Sequence, residues 1–174
     1  MAFLTSVLVS ALLLQAPRVS ESQVKAVFLF NFAQFVDWPA AAAQDSQKPV
    51  IIGILGNDPY GDVLDETLRG ERVGARPFEI RRYRQGADVQ ACDVLFISQS
   101  EAQRVAAILA NLKNRPTLTV SDVKDFARQG GMIQFVTDQS RIRLRINLEA
   151  AQAANLTISS KLLRVAEIVR PPRR

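Results

Sequence analysis

The chain has 174 residues, of which 48% are hydrophobic, 7% aromatic and 22% charged, and its formal net charge is +5. This length suits one domain, with or without a targeting segment, and the apolar fraction excludes a disordered chain. One cysteine and no histidine are present, which excludes an intrachain disulfide, a Ser-His-Asp or Cys-His catalytic pair, and a His- or Cys-rich metal site. The positive excess is small and partly confined to the C-terminal tail, so nucleic-acid binding is not expected.

An uncharged apolar run at residues 3–14 begins the chain. It is too short to span a bilayer core of about 30 Å but fits the apolar region of a secretory signal. We therefore expect residues 1–22 to be a signal peptide that directs export, with a buried N-terminal helix as the alternative. Cleavage after Ser22 follows small residues at positions 20 and 22, whereas cleavage after Ala16 would place Pro17 next to the scissile bond.

The predicted domain spans residues 23–170 and is followed by a basic tail at 171–174. Its first segment, residues 23–38, is rich in aromatic residues and free of glycine and proline. Helical spacing of its apolar residues predicts a buried helix, although Phe28, Phe30 and Phe32 alternate as in a strand.

Alternating strands and helices are predicted from residue 50 onward. Short runs of residues predict strands at 50–55, 77–83, 93–98 and 117–121. The strand at 77–83 is expected at a sheet edge because it begins with proline. Capping residues predict the intervening helices: Asp58 with Pro59 begins a helix through residue 68, Ser100 caps one at 101–113, and a short helix covers 122–128.

The last third of the chain changes character. Residues 132–136 and 141–146 flank a polar turn at 137–140 and predict a hairpin. Asn147 is expected to cap a helix through residue 154, and residues 158–169 predict a closing amphipathic helix. The whole pattern predicts a three-layer α/β sandwich, with a largely parallel sheet, an antiparallel hairpin at the C-terminal edge and helices on both faces.

Polar turns follow three of the predicted parallel strands. In open α/β sheets, ligands favour the crevice at the carboxyl ends of the strands, and backbone N–H groups at a helix start can hold an anion. These turns therefore predict a small-molecule pocket, with an ordinary capped turn as the alternative at each. Its candidate residues are Gly56, Asn57, Asp58, Gly61, Ser98, Ser100 and Ser121.

Carboxylates near these turns could act as an acid/base pair, and each could equally be a helix cap or a first-turn charge. These are Asp58, Asp62, Glu101 and Asp122. We predict no catalytic residue, no metal site and no cofactor. Cys92 is expected to behave as a small buried hydrophobe.

Two surfaces are candidates for contact with a partner or a second copy of the chain. The aromatic helix could bury Phe28, Phe32, Phe35 and Trp38 against another chain, although such residues more often form core. Arg141, Arg143 and Arg145 alternate with apolar residues and predict a basic face on a strand, either solvated or facing an acidic surface.

Six blocks of the sequence resemble one known family. They are VKAVFLFNFAQFVDWP (24–39), ILGNDPYG (54–61), CDVLFISQSE (92–101), LTVSD (118–122), GGMIQFV (130–136) and RIRLRINLEAAQAANLTISSKLLRVAEIV (141–169). In this order they are similar to the YfiR-like family of bacterial periplasmic proteins, over nearly the whole predicted domain.

The resemblance implies an exported, usually dimeric α/β protein with no established catalytic activity. In the system that gives the family its name, the protein represses an inner-membrane diguanylate cyclase through that enzyme's periplasmic domain. An outer-membrane lipoprotein relieves this repression, and the output is cyclic di-GMP signalling and biofilm behaviour. The family's namesake also forms disulfides, for which Cys92 has no partner in this chain.

Overall fold

The computed structural model describes residues 19–39, 48–89 and 91–170. Most of the predicted signal peptide and the basic tail therefore lie outside the described residues. The helices are α1 (Glu21–Phe35), α2 (Asp62–Leu68), α3 (Val105–Asn111), α4 (Leu148–Ala153) and α5 (Ser160–Leu163). The strands are β1 (Val36–Asp37), β2 (Val50–Leu55), β3 (Arg72–Val73), β4 (Arg76–Tyr83), β5 (Val94–Ile97), β6 (Leu118–Ser121), β7 (Ile133–Asp138), β8 (Arg141–Ile146), β9 (Thr157–Ile158) and β10 (Ala166–Ile168).

An eight-stranded sheet organises the fold, in the order β10-β8-β7-β6-β5-β2-β4-β3. The five strands from β7 to β4 in this order run parallel to one another, whereas β8 is antiparallel to β7 and β3 is antiparallel to β4. Strands β1 and β9 form a separate antiparallel pair. The predicted α/β sandwich is confirmed, with the β7–β8 hairpin near the C-terminal edge and β10 added outside it, parallel to β8.

Both faces of the central strands are covered, which is why β2 and β5 are apolar throughout. One face packs Ile52, Ile54 and Phe96 against α1 and α2. The opposite face packs Leu95 and Ile97 against α3 and the loop after β6. The strand predictions for β2, β5 and β6 are therefore confirmed.

Helix α1 confirms the prediction for the aromatic segment but begins and ends earlier than residues 23–38. The Ser20 hydroxyl accepts the Gln23 N–H, and the Gln23 side chain accepts the Ser20 N–H, so the two residues form a capping box. The helix ends at Phe35 because Val36 pairs with Ile158 in the β1–β9 ladder.

The helix after β2 was predicted to begin at Asp58, and this is wrong. Asp58 instead accepts the Tyr60 N–H at 2.7 Å and receives a hydrogen bond from Arg82 at 2.7 Å. These bonds hold it in a turn, so the helix starts at Asp62, with Gly61 at a positive φ of 52° as its N-cap.

The helix predicted at residues 101–113, with Ser100 as its cap, also differs from the helix in the structure. Ser98 is the N-cap, and it begins a 3-10 helix over Gln99–Arg104. The α-helical part, α3, follows only from Val105 to Asn111. The extra 3-10 turn places Glu101 inside the protein rather than on the exposed start of a helix.

No helix forms at residues 122–128, contrary to the prediction. This segment is a series of turns, since Asp125 adopts a left-handed φ of 57° that ends helical geometry. Gly131 completes the bend, where a Cβ would lie 2.1 Å from the Phe126 ring.

The predicted closing helix at residues 158–169 is wrong as well. Ile158 belongs to β9, and Ser159 caps the four-residue helix α5. Residues Ala166–Ile168 then form β10 beside β8. Pairing with distant strands on both sides of α5 outweighs the helical spacing of the segment. The Asn147-capped helix is confirmed as α4, with the Ala150 N–H donating to Asn147 Oδ1 at 3.0 Å.

Candidate functional site

The three polar turns lie side by side at the carboxyl ends of the adjacent parallel strands β2, β5 and β6. We call this end of the sheet its carboxyl edge. Asn57 and Ser100 are brought into contact, with the Asn57 N–H donating to Ser100 Oγ at 2.9 Å. This edge is also where the strand order reverses, since the chain passes from β2 to β4 on one side and then returns to β5 on the other.

The space above Gly56 is filled by the protein's own side chains. Gly56 has a φ of 90°, and a Cβ at this residue would lie 2.3 Å from Ser100 Oγ and 2.9 Å from Glu101 Cγ. Glu101 is only 2% exposed and forms an ion pair with Arg104 at 2.8 Å. The turns after β2 and β5 therefore pack tightly against each other.

The remaining predicted ligand-binding residues stabilise the turns in which they lie. Ser121 Oγ donates to the Ile97 carbonyl at 2.6 Å and accepts the Val123 N–H at 3.0 Å. Ser98 caps the 3-10 helix, while Asp58 and Gly61 shape the start of α2. A small-molecule pocket at this edge stays a prediction.

A buried polar cluster at the same edge was not predicted. The side chain of Lys25, a residue of α1, is buried. Its Nζ lies 2.7 Å from Glu21 Oε1 and 2.8 Å from Asp122 Oδ2. Gln99 donates to the Asp122 carbonyl, and Thr137 donates to Glu21 Oε1. The i,i+4 spacing of Glu21 and Lys25 was a visible signal for one ion pair. Asp122 could not be found this way, because it lies 97 residues from Lys25.

The charges in this cluster stabilise one another. Burial by itself would lower the pKa of Lys25, but hydrogen bonds to Asp122 and Glu21 outweigh it, and the pKa is raised. The hydrogen bond from Lys25 lowers the pKa of Glu21. The Tyr60 hydroxyl and Asp122 Oδ1 are buried without a hydrogen-bond partner among the described residues. Burial and then the Asp122 charge raise the pKa of Tyr60 well above its usual value.

Most of the carboxylates considered for acid/base chemistry are neutralised by cations. Asp58 pairs with Arg82, Glu101 with Arg104 and Asp122 with Lys25. Within the described ranges, no group of three or more acidic, cysteine or histidine residues could hold a metal ion. Cys92 is free and buried, and burial raises the pKa of its thiol to about 12.

The aromatic contact candidates contribute mainly to the core. Phe32 is fully buried and packs against the rings of Phe28 and Phe135, at centroid distances of 5.9 and 5.8 Å. It therefore has no surface left for a partner. Phe28, Phe35 and Trp38 are half-buried against the same core.

The three arginines of β8 form what we call the arginine face, defined as the side chains of Arg141, Arg143 and Arg145. They point away from the core, into which Leu144 and Ile146 are packed. Arg143 pairs with Asp138 at 3.1 Å and Arg145 with Glu167 at 2.9 Å. Arg141 has no ion pair among the described residues. The face is accordingly a basic, largely exposed part of the sheet.

These features define an α/β sandwich with a basic sheet face as a candidate surface for binding another protein. The sequence matches the YfiR/HmsC-like family over residues 22–167, and the chain belongs to this family. The family points to a periplasmic regulatory protein rather than a catalytic one. The described part of the chain contains no helix long and apolar enough to cross a membrane.

A solved structure supports the fold. The crystal structure of a conserved domain protein from Vibrio cholerae O1 biovar El Tor is similar at a TM-score of 0.56 and 14% identity, over 86% of this chain. The chain spans 60% of the length of that protein. At this identity the likeness shows the fold alone. A search of curated proteins gives no significant match.

Proposed function

We propose that the protein is exported to the periplasm through a signal peptide at residues 1–22 and represses a membrane-bound signalling enzyme there. The enzyme would be a diguanylate cyclase, so the output would be cytoplasmic cyclic di-GMP and biofilm formation. Membership of the YfiR/HmsC-like family supports this proposal. The arginine face is the structural observation that carries it.

The arginine face suits an acidic protein surface. Its side chains are spaced along one strand, and an extended sheet face can meet a partner over several contacts at once. Asp138 and Glu167 are themselves largely exposed and neutralise only part of the charge. Complementary charge would mainly speed association and select the partner, while apolar contacts would supply most of the affinity.

Repression would follow from a shift of populations in the enzyme. If the protein binds the inactive conformation of the periplasmic domain more tightly than the active one, binding increases the inactive fraction. An outer-membrane lipoprotein that sequesters the protein would reverse this effect by mass action.

We propose further that the protein is a homodimer through helix α1. The half-buried rings of Phe28 and Phe35 lie on this helix, and the half-buried ring of Trp38 lies three residues beyond its end. Val27 on the same helix is 46% exposed. Covering this apolar surface with a second copy would remove it from water.

The direct test measures cyclic di-GMP in cells. Deleting the gene should raise its level, and the wild-type gene should restore it. Arg143→Glu, which reverses the central charge of the arginine face, should fail to restore it. Arg69→Glu changes an exposed arginine beyond α2 and should restore it like the wild type.

Periplasmic crosslinking in the same strains measures binding, and immunoblotting of each variant separates loss of binding from loss of protein. The wild type and Arg69→Glu should capture the periplasmic domain of a membrane enzyme, and Arg143→Glu should capture it at least about tenfold less. Unchanged cyclic di-GMP after deletion, or equal capture by both variants, would contradict the proposal.

A further inference from the structure

A groove of about 850 Å³ opens at the amino ends of β2, β5 and β6, at the opposite end of the sheet from the predicted ligand-binding turns. We call it the amino-end groove. Its volume lies within the range of roughly 300–1,000 Å³ that is typical of small-molecule sites. It plays no part in the function proposed above, which concerns the arginine face of β8 and helix α1.

The floor of the groove is apolar. It includes Ile51 from β2, Cys92 before β5 and Pro116 before β6. Cys92 is buried and Ile51 is half-buried. Further along β2, Gly53 lets Leu95 and Tyr83 approach closely, since a Cβ at Gly53 would lie 2.9 Å from Leu95 Cδ1 and 3.0 Å from Tyr83 Cε2. A ligand with an apolar body could bury it on this floor.

The walls are charged, and positive charge predominates. Four cationic and two acidic side chains line the groove: Lys48, Arg76, Arg81 and Arg115 on one hand, Glu79 and Asp93 on the other. The internal contacts of Arg76 are well defined, since it donates to the carbonyls of Lys48 and Pro49 and to Asp93. Its role is therefore to hold the chain segment before β2 against the turn before β5.

Arg81 and Arg115 are better placed to meet a ligand. Arg81 uses its Nε to bind Glu79 at 2.6 Å, and Arg115 uses one Nη to bind the Val89 carbonyl at 3.3 Å. Arg115 has no acidic partner among the described residues. Both side chains line the same groove as Cys92. Arg81 enters it from within β4, and Arg115 enters it from the loop before β6.

We propose that the amino-end groove binds a small organic anion, with an apolar body on the floor and a carboxylate between Arg81 and Arg115. A planar guanidinium group matches the geometry of a carboxylate, and charge-assisted hydrogen bonds are stronger than neutral ones. A cation of the same shape is disfavoured by the excess of positive charge.

The test uses phenylacetate as the probe and the full exported chain as the protein. Isothermal titration should show one phenylacetate bound per chain at millimolar concentration or below. Phenethylamine, which carries a positive charge on a similar body, should not bind. Arg81→Gln and Arg115→Gln should each weaken phenylacetate binding by about tenfold or more.

Two further variants keep the result interpretable. Arg84→Gln, an exposed arginine beyond the carboxyl end of β4, should bind phenylacetate like the wild type. Ala91→Trp fills the rim of the groove without removing a charge and should abolish binding, while circular dichroism confirms that it is folded.

The proposal is overturned if the folded wild type does not bind phenylacetate, or if the two arginine variants bind it as tightly as Arg84→Gln. Equal binding of phenylacetate and phenethylamine would overturn it too, because charge would then play no part. None of these results bears on the arginine face of β8.

Discussion

The Nζ atom of Lys25 lies 2.8 Å from Asp122 Oδ2, and this contact joins helix α1 to the turn after β6. Lys25 is 7% exposed and also binds Glu21, one helical turn earlier. The first helix is thus held to the carboxyl edge of the sheet by a buried charge as well as by its aromatic rings. Because the two residues are distant in the sequence, the contact forms only when the whole sheet is assembled.

Lys25→Met should destabilise the protein by about 3 kcal/mol, because it leaves the largely buried Asp122 carboxylate without its cation. The lost pair with the half-exposed Glu21 adds little to this. Urea unfolding followed by circular dichroism measures the change. The exposed Lys124 provides the control, and Lys124→Met should shift the unfolding free energy by less than about 0.5 kcal/mol.

Adding Asp122→Asn to Lys25→Met should recover part of the lost stability, since a neutral amide needs no counter-charge. If the double variant is less stable than Lys25→Met by the full effect of Asp122→Asn alone, the two side chains are not coupled in the folded protein.

The lowered pKa of Glu21 predicts an acid-dependent contribution to stability. A carboxyl whose folded pKa is below its unfolded value of about 4.3 stabilises the fold above that pH, and the contribution is lost as the pH falls through the folded pKa. In a chain beginning at Val19, which keeps Glu21, the unsubstituted protein should therefore exceed Glu21→Gln in melting temperature at pH 6, and the difference should shrink between pH 4 and pH 2. A difference that stays constant over this range would show that the charge of Glu21 does not matter.

The central strands were predictable because each is a short, continuous run of apolar residues, which indicates burial. Runs such as 50–55 and 94–97 are apolar at every position, so both faces of each strand are apolar. A strand that is covered on both faces requires this pattern. The β7–β8 hairpin was predictable for a similar reason, and its turn residues Gln139 and Ser140 adopt positive φ values of 47° and 63°.

What could not be predicted depends on partners far along the chain. Residues 158–169 have helical spacing, yet Ile158 pairs with Val36 and Ala166 pairs with Leu144. Asp122 was correctly placed after a strand, but its cation comes from α1. The amino-end groove likewise draws its walls from four separate segments, so no local pattern indicates it.

The capping box of α1 predicts that the length of the exported chain affects stability. A chain beginning at Gln23, as cleavage after Ser22 would produce, loses the Ser20 cap and the Glu21 ion pair. We expect it to be less stable than a chain beginning at Val19 by about 1–2 kcal/mol. Thermal unfolding of the two purified chains measures this.

Ser20→Ala in the longer chain isolates the cap and should account for about 1 kcal/mol of that loss. Mass spectrometry of the exported protein then identifies the natural start. Equal stability of the two chains would show that α1 does not need its first turn.

Cys92 should be unreactive in the folded protein, because burial raises its pKa to about 12 and the thiolate is the reacting form. With a disulfide reagent at pH 8, the native chain should react orders of magnitude more slowly than the chain in guanidinium chloride. As a control, Gln103→Cys in a Cys92→Ala background places a thiol on the exposed side of the 3-10 helix and should react at once.

The raised pKa of Cys92 also predicts how the stability of the protein changes at alkaline pH. A thiol whose folded pKa is raised stabilises the fold below its unfolded pKa of about 8.5, and this contribution is lost as the pH rises towards 12. The melting temperature of the wild type should therefore fall more steeply than that of Cys92→Ala between pH 8.5 and pH 11. Parallel curves, or rapid labelling of the native thiol, would contradict the raised pKa of Cys92.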